Sequence, residues 1–282
     1  LEAARPGAKE AGPALAFEAF RKTIEVQVSD KRREEIVSLR KLIDLGGGSQ
    51  VEMPQWYFRL AELLWEESQY FFFEANRRDD QLIALGKGDP REAERIKAEK
   101  TDLEGQSRKL QDQAIALYKA IIAKYPKYPR LDEVLYFLAA SLSNRDRFDP
   151  DALKAYRALI ERYPNSRYVA DAWMAFGEYY FEKANKLDRT GNLKRALEAY
   201  KKAAEYQESS VYAYALYKQG WALYKQGRYE DCLEPFFGVL GRRLAPLQQR
   251  ARGTRLCDLL ARDDDPLAPA GDRLASPRRQ RE

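Results

Sequence analysis

The chain has 282 residues, 45% of them apolar and 33% charged, with a formal net charge of +5. It contains no histidine and only two cysteines, Cys232 and Cys257, which excludes His-dependent triads and proton shuttles, leaves no soft ligand set for zinc, and argues against a disulfide framework. The positive charge is local, because residues 241–282 hold 10 Arg and 6 acidic residues and leave 39 basic and 38 acidic residues in 1–240.

Residues 1–14 are Ala, Gly, Pro and charge, and read as a disordered lead-in. The chain opens on Leu1 rather than Met, so a signal peptide or lipid anchor upstream stays open. Over residues 15–48 the apolar residues Phe17, Phe20, Ile24, Val28, Ile36, Leu39 and Ile43 fall at helical spacing, which predicts one helix, or two broken near Ser29-Asp30. Gly46-Gly47-Gly48-Ser49 ends that stretch. No run approaches 18 consecutive apolar residues, so nothing reads as a membrane span.

Residues 49–240 are read as four helical repeats, at about 54–126, 127–164, 165–208 and 209–240. In the first helix of each pair a large residue is followed four positions later by a small one and three further by another large one. The sets are Tyr57/Ala61/Leu64, Leu135/Ala139/Leu142, Trp173/Gly177/Tyr180 and Leu216/Gly220/Leu223. In the second helix a small residue precedes an aromatic by four: Ala114/Tyr118, Ala152/Tyr156, Ala196/Tyr200 and Cys232/Phe236. Both patterns mark one helix face. The small residues of the two helices are expected to face each other and let the backbones approach. Tyr125-Pro126 and Tyr163-Pro164 close second helices, and Asn165-Ser166 and Ser209-Ser210 supply capping residues.

The first copy is stretched. Its helices are expected to run from Pro54 to about Leu85 and from about Arg91 to Lys124, around Gly86-Lys87-Gly88-Asp89-Pro90. Ile96, Leu103, Leu110 and Leu117 repeat every seven residues along the second arm. Arms of thirty-odd residues would be roughly 45–50 Å long. A smaller insertion falls around Lys183–Thr190. Residues 241–282 lack Lys, Ile, Val, Phe, Tyr and Trp, and read as a disordered arm or the frameshifted end of a GC-rich gene.

The fourth copy, Leu216, Gly220, Leu223, Tyr224, Gly227, Tyr229, Cys232 and Phe236, resembles the tetratricopeptide repeat without a gap. The resemblance covers about residues 54–240 and implies an all-α solenoid of stacked antiparallel hairpins, one of them elongated. Tyr163-Pro164-Asn165-Ser166 resembles the subgroup found in bacterial cell-envelope proteins, and the run from Phe58 to Glu67 is similar to large repeat proteins of myxobacteria. The resemblance implies a periplasmic or outer-membrane-associated place, with a cytoplasmic one open.

The implied function is a non-catalytic scaffold that takes a peptide or helix of another protein in a concave groove, without cofactor, metal or nucleic acid. The alternative is a regulatory or sensor region of a larger enzyme or signalling protein. The positions that line the groove in that family are here Phe58, Glu62, Tyr136, Ala140, Met174, Glu178, Tyr217 and Trp221. Trp65, Phe181 and Tyr224 extend those faces, and Lys225 and Arg228 join Glu62 and Glu178 in selecting charge. Glu62, Glu66 and Glu67 are read as a solvated or groove-facing helix surface, not as a carboxylate pair for catalysis. Gly46–Gly48 and Gly86-Lys87-Gly88 lack the spacing of a phosphate loop and read as turns.

Overall fold

The computed structural model describes residues 13–86 and 88–240. The lead-in expected over 1–14 lies outside them apart from its last two residues, and the tail over 241–282 lies wholly outside. Among the described residues every regular element is a helix. In chain order these are α1 (Pro13–Asp44), α2 (Glu52–Leu85), α3 (Pro90–Lys124), α4 (Leu131–Arg145), α5 (Pro150–Arg162), α6 (Val169–Lys183), α7 (Arg189–Ala203), α8 (Tyr212–Lys225) and α9 (Leu233–Leu240). The class is the all-α solenoid of antiparallel hairpins, one of them elongated, as the repeats imply. The chain divides into two compact units, with the boundary inside α6 between Ala172 and Trp173.

In the first unit α2 and α3, of 34 and 35 residues, form the elongated hairpin. At 1.5 Å per residue each arm is about 50 Å long. The start of α2 carries a capping box that the sequence reading did not single out. The Ser49 N–H donates to Glu52 Oε2 at 2.9 Å, and the Glu52 N–H donates to Ser49 Oγ at 3.2 Å. Gly86 turns the chain at φ +57°, a region open to glycine, and Asp89 caps α3 by accepting from the Arg91 N–H at 2.9 Å. Asp149 caps α5 in the same way, accepting from Asp151 at 2.8 Å, and in both helices proline takes the first position.

The seam of the long hairpin is lined by small residues on α2. Ala61, Ser68 and Ala75 on α2 are fully enclosed, and Ser107 on α3 donates to the Ser68 carbonyl at 2.8 Å. Small residues at seven-residue spacing let the two backbones approach. Of the expected heptad Ile96 is buried, while Leu103, Leu110 and Leu117 are half-buried at the seam's edge.

Helix α1 is continuous and lies antiparallel along α2. Its contacts pair Glu25 with Arg77, Ser29 and Arg32 with Glu67, and Glu35 with Arg59. Glu67 is therefore not solvated: it is 2% exposed and accepts from Ser29, from Arg32 at 2.8 Å and from Arg33 at 2.7 Å. A buried carboxylate persists only where such donors replace its lost water.

The small/aromatic register holds along the described repeats. Ala114, Ala152, Ala196 and Cys232, with their partners Tyr118, Tyr156, Tyr200 and Phe236, are all at most 6% exposed. The partner of the small residue on the first helix differs from the expectation in the third and fourth copies, however. A Cβ on Gly177 would meet Tyr200 Cε1 at 2.3 Å, and one on Gly220 would meet Phe236 Cε1 at 2.5 Å. The glycine thus makes room for the aromatic ring of the second helix, not for its small residue. In the second unit this packing joins Met174, Tyr200, Tyr217, Leu223 and Phe236 in one core. Helix α8 ends in a Schellman motif: Gly227, at φ +78°, donates to the Tyr224 carbonyl at 2.9 Å and Arg228 to that of Leu223 at 3.0 Å.

Candidate functional site

The positions that the resemblance assigned to a groove separate into core and surface. Phe58, Met174 and Tyr217 are 1%, 5% and 7% exposed, so they are core residues and offer no surface to a partner. Phe58 is covered by the rings of Tyr118 and Phe137, with centroids 5.9 and 5.8 Å away, and by the Arg130 guanidinium at 4.6 Å. Tyr217 packs on Phe236 at 6.1 Å. Rings from neighbouring helices close over Phe58 and Tyr217.

Of the remaining positions of the first unit, Glu62 and Tyr136 both neighbour the Arg130–Glu133 pair. Tyr136 stacks on Tyr168 at 4.4 Å between planes 16° apart, and Ala140 is half-buried on the same helix. Beside that stack Glu133 accepts from Arg130 at 2.6 Å, from the Tyr168 hydroxyl at 2.7 Å and from Arg167 at 3.1 Å. Burial alone would raise its carboxyl, but the Arg130 and Tyr168 hydrogen bonds and the two guanidinium charges outweigh that and hold it below the usual carboxylate range. Glu62 behaves in the opposite way. Burial pushes it above that range against the pull of Arg59 and Arg130. Trp65 lies in a cleft of about 840 Å³ between α1 and α2, with Ile24, Val28, Tyr70 and Phe73.

In the second unit the assigned residues do meet. The Phe181 ring on α6 has Lys225 Nζ 4.3 Å and Lys218 Nζ 4.6 Å from its centroid, both from α8. Lys218 pairs with Glu178 at 3.1 Å, and Glu178 also accepts from the Tyr200 hydroxyl at 2.9 Å. Lys218 has a weak sequence signal, since a lone lysine on a helix reads as solvated, yet its side chain is only 11% exposed. Along α8 the rings of Tyr217, Trp221 and Tyr224 follow at 6.2 and 5.6 Å, and Tyr224 meets Tyr229 at 5.3 Å. Trp221 and Tyr224 are half-buried, and the enclosed indole N–H of Trp221 has no acceptor. Arg228 lies exposed in the turn after α8 and pairs with Asp231 at 2.7 Å.

Among the described residues no group of three or more Cys, Asp or Glu side chains is placed to hold a metal ion, and no helix is long and apolar enough to cross a membrane. The Phe181 surface brings together two amines, one carboxylate and aromatic rings.

The tetratricopeptide repeat family matches residues 133–166 and 214–237, so the chain carries tetratricopeptide repeats. The matched stretches are the second copy and most of the fourth. The long hairpin and nearly all of the third copy, with its insertion around Lys183–Thr190, lie outside them. The outer membrane protein assembly factor BamD of Neisseria gonorrhoeae is 24% identical over 139 residues, covering 38% of this chain and 52% of the relative. The chain thus spans about half the length of the curated relative it matches. Among solved structures, the crystal structure of the MamA protein is similar with 17% identity and a TM-score of 0.39, covering 82% of this chain and 96% of that one.

Proposed function

We propose that this chain is a non-catalytic scaffold of the bacterial cell envelope that captures an extended peptide or a helix of another protein on the α6–α8 face of its second unit. Tetratricopeptide repeats are protein-interaction modules, so a protein partner follows from the repeats themselves. The envelope placement rests on the likeness to an outer membrane protein assembly factor. The single observation that carries the docking face is the row of half-buried rings, Phe181, Trp221 and Tyr224, laid beside two lysines. Aromatic side chains with one face covered and one open supply large contact area at low entropy cost, and they dominate interface energetics.

The test is selection of a displayed, randomised 12-residue peptide library on the immobilised full chain. Binding of the selected peptides is then measured on Phe181→Ala and Trp221→Ala, with Phe72→Ala on the elongated hairpin as control. The proposal expects both α6–α8 substitutions to weaken binding about tenfold or more while helical content is kept. Equal binding by all three well-folded variants would move the docking face elsewhere.

A further inference from the structure

In the first unit the cleft between α1 and α2 has a volume of about 840 Å³, with Ile24 and Val28 of α1 on one wall and Trp65 and Phe73 of α2 on the other. Phe20, Ile24 and Val28 are spaced by four and form one stripe along α1. These three and Phe73 are between 42% and 63% exposed. A contiguous apolar strip between two helices is a seat for further helices, and a chain that leaves it in water is rarely alone.

The charges along the cleft are ordered. Glu25 pairs with Arg77, and Arg32 with Glu66 at 3.1 Å, which fixes the levels at which residues of the two antiparallel helices stand. Arg21, one turn before Glu25, is therefore level with Asp80, three residues beyond Arg77. Both line the cleft and are exposed, and Arg21 reaches Glu25 only at 3.6 Å. From one end of the cleft to the other, α1 presents Arg21, the apolar pair Ile24 and Val28, and Arg32. At the same levels α2 presents Asp80, Phe73, and Glu66 beside Trp65. One wall is cationic at both ends, the facing wall is anionic at both ends, and both are apolar between.

That order is complementary to itself. We infer that a second copy of this chain covers the cleft, in an isologous dimer whose two-fold axis runs parallel to α1 and α2. This axis lays α1 of each copy over α2 of the other without changing its level. Arg21 then meets Asp80 of the second copy, Ile24 and Val28 meet its Phe73, and Arg32 meets its Glu66, each contact occurring twice. The other isologous arrangement, with the axis across the helices, stacks α1 on α1 and α2 on α2 with their ends exchanged. It brings Arg21 to Arg32 and Asp80 to Glu66, like charges that disfavour it. The four helices of the favoured arrangement enclose the apolar strip, while the rim charges set its orientation.

Sedimentation velocity of the full chain over about 1 to 100 µM is the test, and a dimer that dissociates on dilution is expected. Arg21→Asp and Asp80→Arg should each raise the dimer dissociation constant at least about tenfold, as should Phe73→Asp, with helical content kept. The decisive sample is an equimolar mixture of the Arg21→Asp and Asp80→Arg chains. Across the proposed axis the mixture restores opposite charges in both contacts, so it should dimerise at a concentration where neither chain does so alone. A chain that is monomeric at every concentration would overturn the proposal and leave the α6–α8 face untouched. A dimer that persists unweakened in Phe73→Asp would lie elsewhere on the molecule and overturn it too. A mixture that associates no better than its two components would refute the two-fold arrangement.

Discussion

Replacing Gly177 by alanine probes the repeat packing at its tightest point. In an ordinary helix interior this change stabilises by about 0.8–1.0 kcal/mol, because glycine carries the greater conformational freedom in the unfolded chain. Here the new Cβ would lie 2.3 Å from Tyr200 Cε1 and 2.4 Å from its Cδ1. The ring cannot swing aside freely, since Tyr200 is fully enclosed and its hydroxyl is tied to Glu178 at 2.9 Å. Forcing a methyl group into a filled core costs about 1–3 kcal/mol, so the net effect is a loss of up to about 2 kcal/mol. Gly105, mid-way along α3, is the control. A Cβ there meets nothing within 4 Å, and alanine gains the full helix preference. Urea unfolding of the full chain, followed by circular dichroism, should move in opposite directions for the two variants, with a difference of about 1–3 kcal/mol. Adding Tyr200→Leu to Gly177→Ala should recover part of the steric cost through a non-additive gain. If Gly177→Ala stabilises the protein as much as Gly105→Ala does, Tyr200 does not lie over Gly177 and the assigned packing is wrong.

Glu67→Ala removes the buried carboxylate shared by Arg32 and Arg33, which keep Glu66 and Asp30 as partners, and should destabilise by about 1–3 kcal/mol, with faster amide exchange along α1; unchanged exchange there would show that charge does not hold α1 on α2. Glu133 has a depressed folded pKa, so the stability it contributes is present above the unfolded value of about 4.3 and is lost as pH falls through the lower folded one. Glu133→Gln should therefore flatten the decline in stability between about pH 5 and pH 3, and an unaltered pH profile would contradict the bracket formed by Arg130, Tyr168 and Arg167. Phe236→Ala empties the space over Gly220 and should cost about 3–5 kcal/mol in the second unit, read as a lowered urea midpoint; a cost below about 1 kcal/mol would mean that the ring is not part of that core.

Much of this fold is legible in the sequence because its packing repeats. The recurrence of Ala114/Tyr118, Ala152/Tyr156, Ala196/Tyr200 and Cys232/Phe236 marks a buried face without knowledge of what covers it. The long hairpin is legible too, from an unbroken helical pattern on both sides of Gly86–Pro90. Helical periodicity reports only the residue's own helix, however. Phe58 and Tyr217 look available for a partner, but rings from the neighbouring helices, Phe137 and Phe236, close over them. Glu67 reads as solvated for the same reason, since its partner Ser29 lies 38 residues earlier on α1. Lys218 carries only a weak signal of its own, and its role emerges when α6 brings Phe181 and Glu178 against it.

The central claim is that the α6–α8 face captures protein segments, and amide NMR of the full chain titrated with a peptide selected from the displayed library tests it most directly. The account predicts that the shifted signals centre on Glu178–Phe181 and on Lys218, Trp221, Tyr224 and Lys225, and that they fade in Phe181→Ala. Shifts that centre instead on the α2–α3 hairpin or on the cleft beside Trp65 would contradict it.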